Sequence, residues 1–203
     1  MISCHKSIID QNSAIAKYIR FGESLEYNKR PTCASRNIWY SIGENWSPAP
    51  FIFPAKVGER FVVLRNKKGI LEDKKLYGIT PKYASYTYWG AVLNSTINRF
   101  FIDLSCRQLT GAQAIADIDV KVVEDLLLPN VECLNLSALE DAYKKIAKRI
   151  IKMQMEEEYT MADRKELDNV IFDALCLTQA ERNEVYRAVC ELVQQRLAKA
   201  GSV

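Results

Sequence analysis

The sequence predicts an α+β protein: a small mixed β-sheet packed with a long central helix, then a C-terminal segment of about three helices. Three observations predict it. Short runs of β-branched and aromatic residues, broken by Pro, Gly and Asn, fill the first half. One long stretch from Tyr86 carries a helical period. Beyond Asn130 the apolar spacing is helical throughout and begins with cap signatures. The expected domains are therefore residues 1–130, α+β, and 131–203, helical.

Residues 1–20 are polar with scattered Ile8, Ile15, Tyr18 and Ile19, and read as a short helix or linker. Gly22, Pro31, Gly43, Pro48 and Pro50 make the next stretch loop-rich. Within it, Trp39 and Tyr40 read as core residues of a strand. A strand "FIF" ends at Pro54, and Phe61, Val62, Val63 and Leu64 predict a second. "NKKG", Asn66 to Gly69, is good hairpin chemistry, because Asn and Gly tolerate positive φ. Lys67 and Lys68 at its tip, with Arg65, Lys74 and Lys75 nearby, predict a basic edge. That edge reads equally as a solvated, aggregation-resistant hairpin or as a polyanion contact. Leu76 to Thr80 is strand-like and stops at Pro81, whose nitrogen cannot donate to a ladder.

From Tyr86, the residues Trp89, Leu93, Ile97, Phe100 and Leu104 mark one face of a long helix. Asn94, Asn98, Arg99, Asp103 and Arg107 mark the other, where Arg99, Asp103 and Arg107 are spaced to pair along the surface. Gly90 predicts a bend or break. "ADIDVKVVEDLLLPN" predicts a short strand, a helical turn and a second strand ending at Pro129. Ser137 and Glu140 form a capping box before Leu139, Tyr143, Ile146, Ile150 and Met153, a helix of roughly five turns with a heptad stripe. "DRKE" and "TQAE" start two more helices. Glu156, Glu157 and Glu158 read as a solvated helix face.

The six cysteines form no CxxC pair and read as reduced, mostly buried thiols. The only histidine is His5, near the terminus, so neither a zinc site nor a Ser-His-Asp triad, which would have to use it, is expected. No apolar run approaches the ~20 residues that span a bilayer, and no signal peptide opens the chain, so a soluble cytoplasmic protein is expected. The net charge of +3 hides an asymmetry. Residues 17–82 carry 13 Lys and Arg against 6 Asp and Glu, whereas residues 131–203 carry 11 against 13. A basic first half suits a polyanion partner.

Several motifs together resemble the target recognition domain of adenine-specific DNA methyltransferases and restriction-modification enzymes, and are similar to type I specificity subunits. They are "YGITPK", then Leu93, Asn94, Ser95, Phe100, Phe101, Arg107, Gly111 and Pro129 in order. Arg36, Trp39 and Tyr40 resemble that family's early Arg-Trp-Tyr element. Leu167, Asp168, Leu177, Thr178 and Arg196 resemble its helical tail. The resemblance runs over about residues 17–199; at Gly111, Ala112 and Gln113 the chain departs from the family's glycine-rich loop.

The resemblance implies a DNA-reading part that is not itself catalytic. No two prolines are adjacent, so the Asx-Pro-Pro-aromatic motif for a flipped adenine is absent, as is a glycine-rich loop for a methyl donor. S-adenosylmethionine is thus expected on a methyltransferase catalytic domain, in cis or on another chain. Double-stranded DNA is the implied partner. Phosphate or base contacts fall to Arg36, Lys56, Arg65, Asn66, Lys67, Lys68, Lys74, Lys75, Lys82 and Tyr83. Trp39, Tyr40, Asn94, Ser95, Arg107 and Gly111 are implied as structural positions. The helix from Ser137 is implied as a spacer that docks on a partner domain. The competing reading is a helical interaction or dimerisation module that binds no DNA. A small-molecule enzyme would need a deep polar pocket with a perturbed carboxylate or thiol.

Overall fold

The computed structural model describes residue 10 and residues 13–41, 47–108 and 114–201. The chain forms two compact units, residues 1–47 and 48–203.

In the first unit, α1 (Ala14–Ser24) starts at Ser13, whose hydroxyl accepts from the Ala16 N–H at 3.1 Å. A short helix α2 (Pro31–Ala34) follows. Trp39 and Tyr40 do not form the expected strand but lie in a turn. The reason is the indole: it packs on Gly22, where a Cβ would come within 2.7 Å of the ring, and its N–H donates to Glu23 at 3.2 Å.

The second unit is α+β, with two small antiparallel sheets and a set of helices. The first sheet has the order β3-β1-β4, with β1 (Phe51–Pro54) between β3 (Leu64–Arg65) and β4 (Leu76–Ile79). The second has the order β2-β6-β5, from Lys56–Val57, Ala116–Asp117 and Arg107–Gln108. The expected hairpin about Asn66–Gly69 is therefore not one, because β1 separates β3 from β4. Its turn chemistry still holds, with Gly69 at φ +63°. The expected strand from Phe61 shrinks to two residues because the Val63 backbone bonds a side chain instead: its N–H donates to Asn94 Oδ1 at 2.9 Å, and its carbonyl accepts from Asn94 Nδ2 at 3.0 Å.

The central helix is two helices, α3 (Tyr86–Leu93) and α4 (Thr96–Ser105). The break falls at Asn94–Ser95, not at Gly90. The Ser95 hydroxyl accepts from the Asn98 N–H at 3.3 Å and caps α4. Gly90 is needed for a different reason: a Cβ there would collide with the Tyr143 ring.

The polar face of α4 also reverses its expected role. Asn98, Arg99 and Asp103 are buried, at 1–3% exposure, while Leu104 is 55% exposed. Asp103 accepts from Arg99 at 2.6 Å and from Arg196 at 3.0 Å. Arg107 takes no part, bonding Asp119 at 3.1 Å and Asp117 at 3.4 Å on the surface.

After β6, α5 (Val120–Glu124) is followed by no second strand. Leu126 and Leu128 pack into the apolar clusters, and the Pro129 carbonyl accepts from the Tyr88 hydroxyl at 2.8 Å rather than from a ladder. Then come α6 (Leu136–Ile146), α7 (Met155–Thr160), α8 (Ala162–Ala174) and α9 (Gln179–Gly201). Asn135 rather than Ser137 caps α6, accepting from the Ala138 N–H at 3.1 Å. The five-turn helix stops at Ile146, leaving Ile150 and Met153 80% and 59% exposed. Arg149 pulls the chain off the helical path by bonding Glu158 at 2.8 Å and Asp163 at 2.5 Å. Glu158 is consequently buried, not on a solvated face; Glu156 and Glu157 are exposed.

Residues on both sides of position 130 share one apolar cluster. Tyr88, Ala91, Val92 and Ile97 pack with Leu139, Ala142, Ile146, Leu167, Ile171, Phe172 and Val185. A second cluster joins Phe51, Phe53, Phe61, Val63, Leu93, Ile102 and Ile118. The α3–α4 pair thus lies between sheets and helices. Polar ties cross the same region: Asp168 accepts from the Thr96 N–H at 2.8 Å and hydroxyl at 2.6 Å, and Arg164 donates to the Asn94 carbonyl at 2.5 Å.

Candidate nucleic-acid interface

The register of β1 decides which of the candidate cations come together. Phe51 lies opposite Arg65 on one side and Ile79 on the other, and Pro54 lies opposite Leu76. The Asn66–Ile70 turn and the Thr80–Tyr86 segment therefore leave the sheet at its Phe51 end. Lys74, Lys75 and Lys56 lie at the Pro54 end, about 10 Å away for a four-residue strand. There the Lys75 carbonyl accepts from Ala55 N–H at 3.0 Å, and Lys56 pairs with Asp117 at 3.4 Å. Lys74 and Lys75 are exposed.

At the Phe51 end, Lys67, Lys68 and Lys82 are exposed. The segments 48–50, 65–70 and 80–86 contain no Asp or Glu, and the nearest carboxylate, Glu72, lies beside Ala49 and Gly78 at the margin of this end. Two of the candidates here are engaged within the protein. Asn66 Nδ2 donates to the Ala49 and Ile70 carbonyls at 2.9 and 2.8 Å, and Oδ1 accepts from the Ile70 N–H at 2.9 Å. Both amide hydrogens are used, and the turn that displays Lys67 and Lys68 is closed by them. Arg65 donates to the Pro50 carbonyl at 2.6 Å, and its guanidinium lies 4.0 Å from the Tyr86 ring centre.

Tyr83 is 54% exposed, with its ring 5.3 Å from that of Trp89. The Trp89 indole donates to the Tyr83 carbonyl at 2.7 Å. Tyr86, which the sequence reading did not single out, is 50% exposed and meets Phe51 edge-on at 6.0 Å. Its signal was present: an aromatic at the first turn of a helix, directly after a Ser cap and a basic loop.

The remaining positions are dispersed. Arg36, in the first unit, is exposed and donates to the Ser41 carbonyl at 3.2 Å. Asn94 and Ser95 are buried at the α3–α4 junction, and Arg107 is on the surface in β5. Gly111 lies outside the described residues. Sequence reasoning missed the buried Arg99–Asp103–Arg196 and Arg149–Glu158–Arg164 systems. The i, i+4 spacing of Arg99 and Asp103 was visible, but its burial was not.

Among the described residues no group of three or more His, Cys, Asp or Glu is arranged to hold a metal ion, and no helix is long and apolar enough to cross a membrane. A cleft of about 460 Å³ between α7, α8 and α9 contains Tyr186 and Cys190. Burial, then the Asp168 carboxylate, pushes the Tyr186 hydroxyl far up, and burial pushes the Cys190 thiol up to about 11. Both groups stay protonated near neutrality, so neither is a ready nucleophile.

The chain is similar to the type II methyltransferase M.AccI of Acinetobacter calcoaceticus, 30% identical over 175 residues. That match covers 79% of this chain and 29% of the relative, so the chain spans under a third of the relative's length. No solved structure matches. The family of the type II methyltransferase M.Eco57I C-terminal domain matches residues 1–167. With the α+β unit and its helical continuation in place, the chain belongs to the family of the C-terminal domain of type II methyltransferase M.Eco57I.

Proposed function

We propose that this chain is the DNA-recognising part of a type II methyltransferase, acting on double-stranded DNA and carrying no catalytic step itself. The observation that carries the reading is the Phe51 end of the first sheet. Two loops there present Lys67, Lys68 and Lys82, all exposed, with Glu72 at the margin as the nearest carboxylate. Phosphate contacts from such cations supply affinity and register, while base edges supply specificity. Asn66 and Arg65 hold the loops in place, and Lys74, Lys75 and Lys56 form a second, weaker basic end. The membership of a methyltransferase family supports the DNA substrate.

The methyl donor, S-adenosylmethionine, and the flipped adenine would belong to a catalytic domain in cis or on another chain. This sequence has neither adjacent prolines nor a glycine-rich donor loop. The test is retention of a random duplex pool at two salt concentrations, followed by sequencing of what is retained. Enrichment of one short motif that weakens with salt is the expected result. No retention at low salt, together with a concentration-dependent dimer, would replace this reading with an interaction module.

A further inference from the structure

Phosphate binding needs cations only, yet the Phe51 end also leaves two tyrosine rings half in water. Tyr83 and Tyr86 are 54% and 50% exposed; Tyr83 directly follows Lys82 in the loop and Tyr86 is the first residue of α3. Neither ring is loose. Tyr86 has the Arg65 guanidinium 4.0 Å from its centre and Phe51 edge-on at 6.0 Å. Tyr83 rests against Trp89 at 5.3 Å and Tyr88 at 6.3 Å, and its carbonyl is held by the Trp89 indole at 2.7 Å. Ser85 caps α3, fixing the backbone between the two rings. Ala84 between them has φ +57°, a left-handed conformation that a non-glycine residue adopts at a cost.

Rigid, half-exposed aromatic rings beside exposed lysines are what a nucleobase outside the duplex stack requires. Every base has a π-face to lay on a ring, and its flanking phosphates need positive charge alongside. A fully paired duplex buries those faces and uses the cations alone. A protein partner offering carboxylates would satisfy the lysines but has no need of two rings.

We propose that Tyr83 and Tyr86 form a stacking platform for an unpaired base of bound DNA, with Lys67, Lys68 and Lys82 on the adjoining phosphates. This rests on the DNA reading above and deepens it.

The experiment measures fluorescence anisotropy of the full chain with three labelled probes of common sequence: a paired duplex, the same duplex with one central unpaired base, and the single strand. The bulged duplex and the single strand should bind about 10-fold tighter than the paired duplex, as a stacked base contributes. Tyr83→Leu should remove most of that preference, weakening binding of the bulged duplex and the single strand several-fold more than binding of the paired duplex. Tyr83→Phe should keep it. Tyr86→Leu should act likewise, provided its thermal transition matches wild type; Tyr83 is the more exposed ring and serves if Tyr86→Leu is unstable. Equal binding of all three probes, or a preference that survives Tyr83→Leu, overturns the platform but not DNA binding. No binding of any probe at low salt overturns the DNA reading itself, and the platform with it.

Discussion

The Asn94 side chain is bound at both ends by the backbone of Val63. Its oxygen accepts the Val63 N–H at 2.9 Å, and its nitrogen donates to the Val63 carbonyl at 3.0 Å. One amide thus stands in for a neighbouring strand. Nδ2 also donates to the Gly90 carbonyl at 2.8 Å, one turn back in α3. Asn94→Ala should leave two buried backbone groups unpaired and cost about 2–5 kcal/mol. Asn94→Asp should cost a similar amount, because a carboxylate oxygen would face the Val63 carbonyl. Urea denaturation measures both; an Asn94→Ala midpoint equal to wild type would show that the Val63 bonds contribute nothing.

Gly90 inverts the usual rule for helices. Alanine in place of an interior helical glycine gains about 1 kcal/mol of propensity. Here the added Cβ meets the Tyr143 ring, so Gly90→Ala should destabilise by about 1–3 kcal/mol. Tyr143→Ala alone should also destabilise, and the double variant should cost less than the sum. Strict additivity in thermal melts would mean that the ring moves aside freely.

The two basic ends of the first sheet can be told apart. Replacing Lys67 and Lys68 by alanine should weaken DNA binding about equally for all sequences and reduce the salt slope by about 2. Replacing Lys74 and Lys75 should have the smaller effect. Titration of one duplex at several salt concentrations gives both slopes, and a larger loss for Lys74 and Lys75 would move the contact to the Pro54 end.

Glu158 links stability to acid. Burial pushes its carboxyl up, but hydrogen bonds from Arg149, the Lys152 N–H and Arg164 outweigh burial and hold it below its ordinary 4.5. The hydrogen bond from Arg149 does the same for Asp163, below 3.8. Both are depressed carboxylates, so the stability they contribute is present above their unfolded values and is lost as pH falls through the folded ones. Asp168 works in the opposite direction. Burial, against the pull of Arg164, raises it above 3.8, so its ionisation opposes folding. The wild-type urea midpoint should be level at neutral pH and fall once pH drops below about 4.5. Glu158→Gln should start lower by about 3–5 kcal/mol, because it leaves buried Arg164 short of its charge partner, and should decline less steeply. Parallel curves for the two proteins would show that Glu158 carries none of the acid sensitivity.

The parts of the fold legible in the sequence were those set by local chemistry. β1 and β4 ended near Pro54 and Pro81, and the Thr178–Glu181 pair caps α9 with bonds of 2.7 Å. What failed depended on tertiary partners. The helical period through Asn94 gave no hint that its amide would leave the helix for Val63. Likewise Ile150 and Met153 continue the heptad of α6, but Arg149 beside them finds Glu158 and Asp163 in space, and the helix stops. Of the candidate interface, the basic turn was legible; the register that sends Lys74 and Lys75 to the opposite end from Lys67 and Lys68 is a property of β1 lying between β3 and β4.

Arg196 ties together three segments that lie far apart in sequence. It reaches from α9 to the Gly58 carbonyl at 3.1 Å, a partner 138 positions earlier, and to Ala114 and Asp103 on the way. Until α9 has been synthesised, Asp103 lacks one of its two guanidinium partners, and the loops after β2 and before β6 lack a common anchor. The contact joins positions 138 residues apart, a separation whose loop entropy is costly to close. A chain halted before Arg196 would hold its sheets and helices near one another without the clasp that locks them.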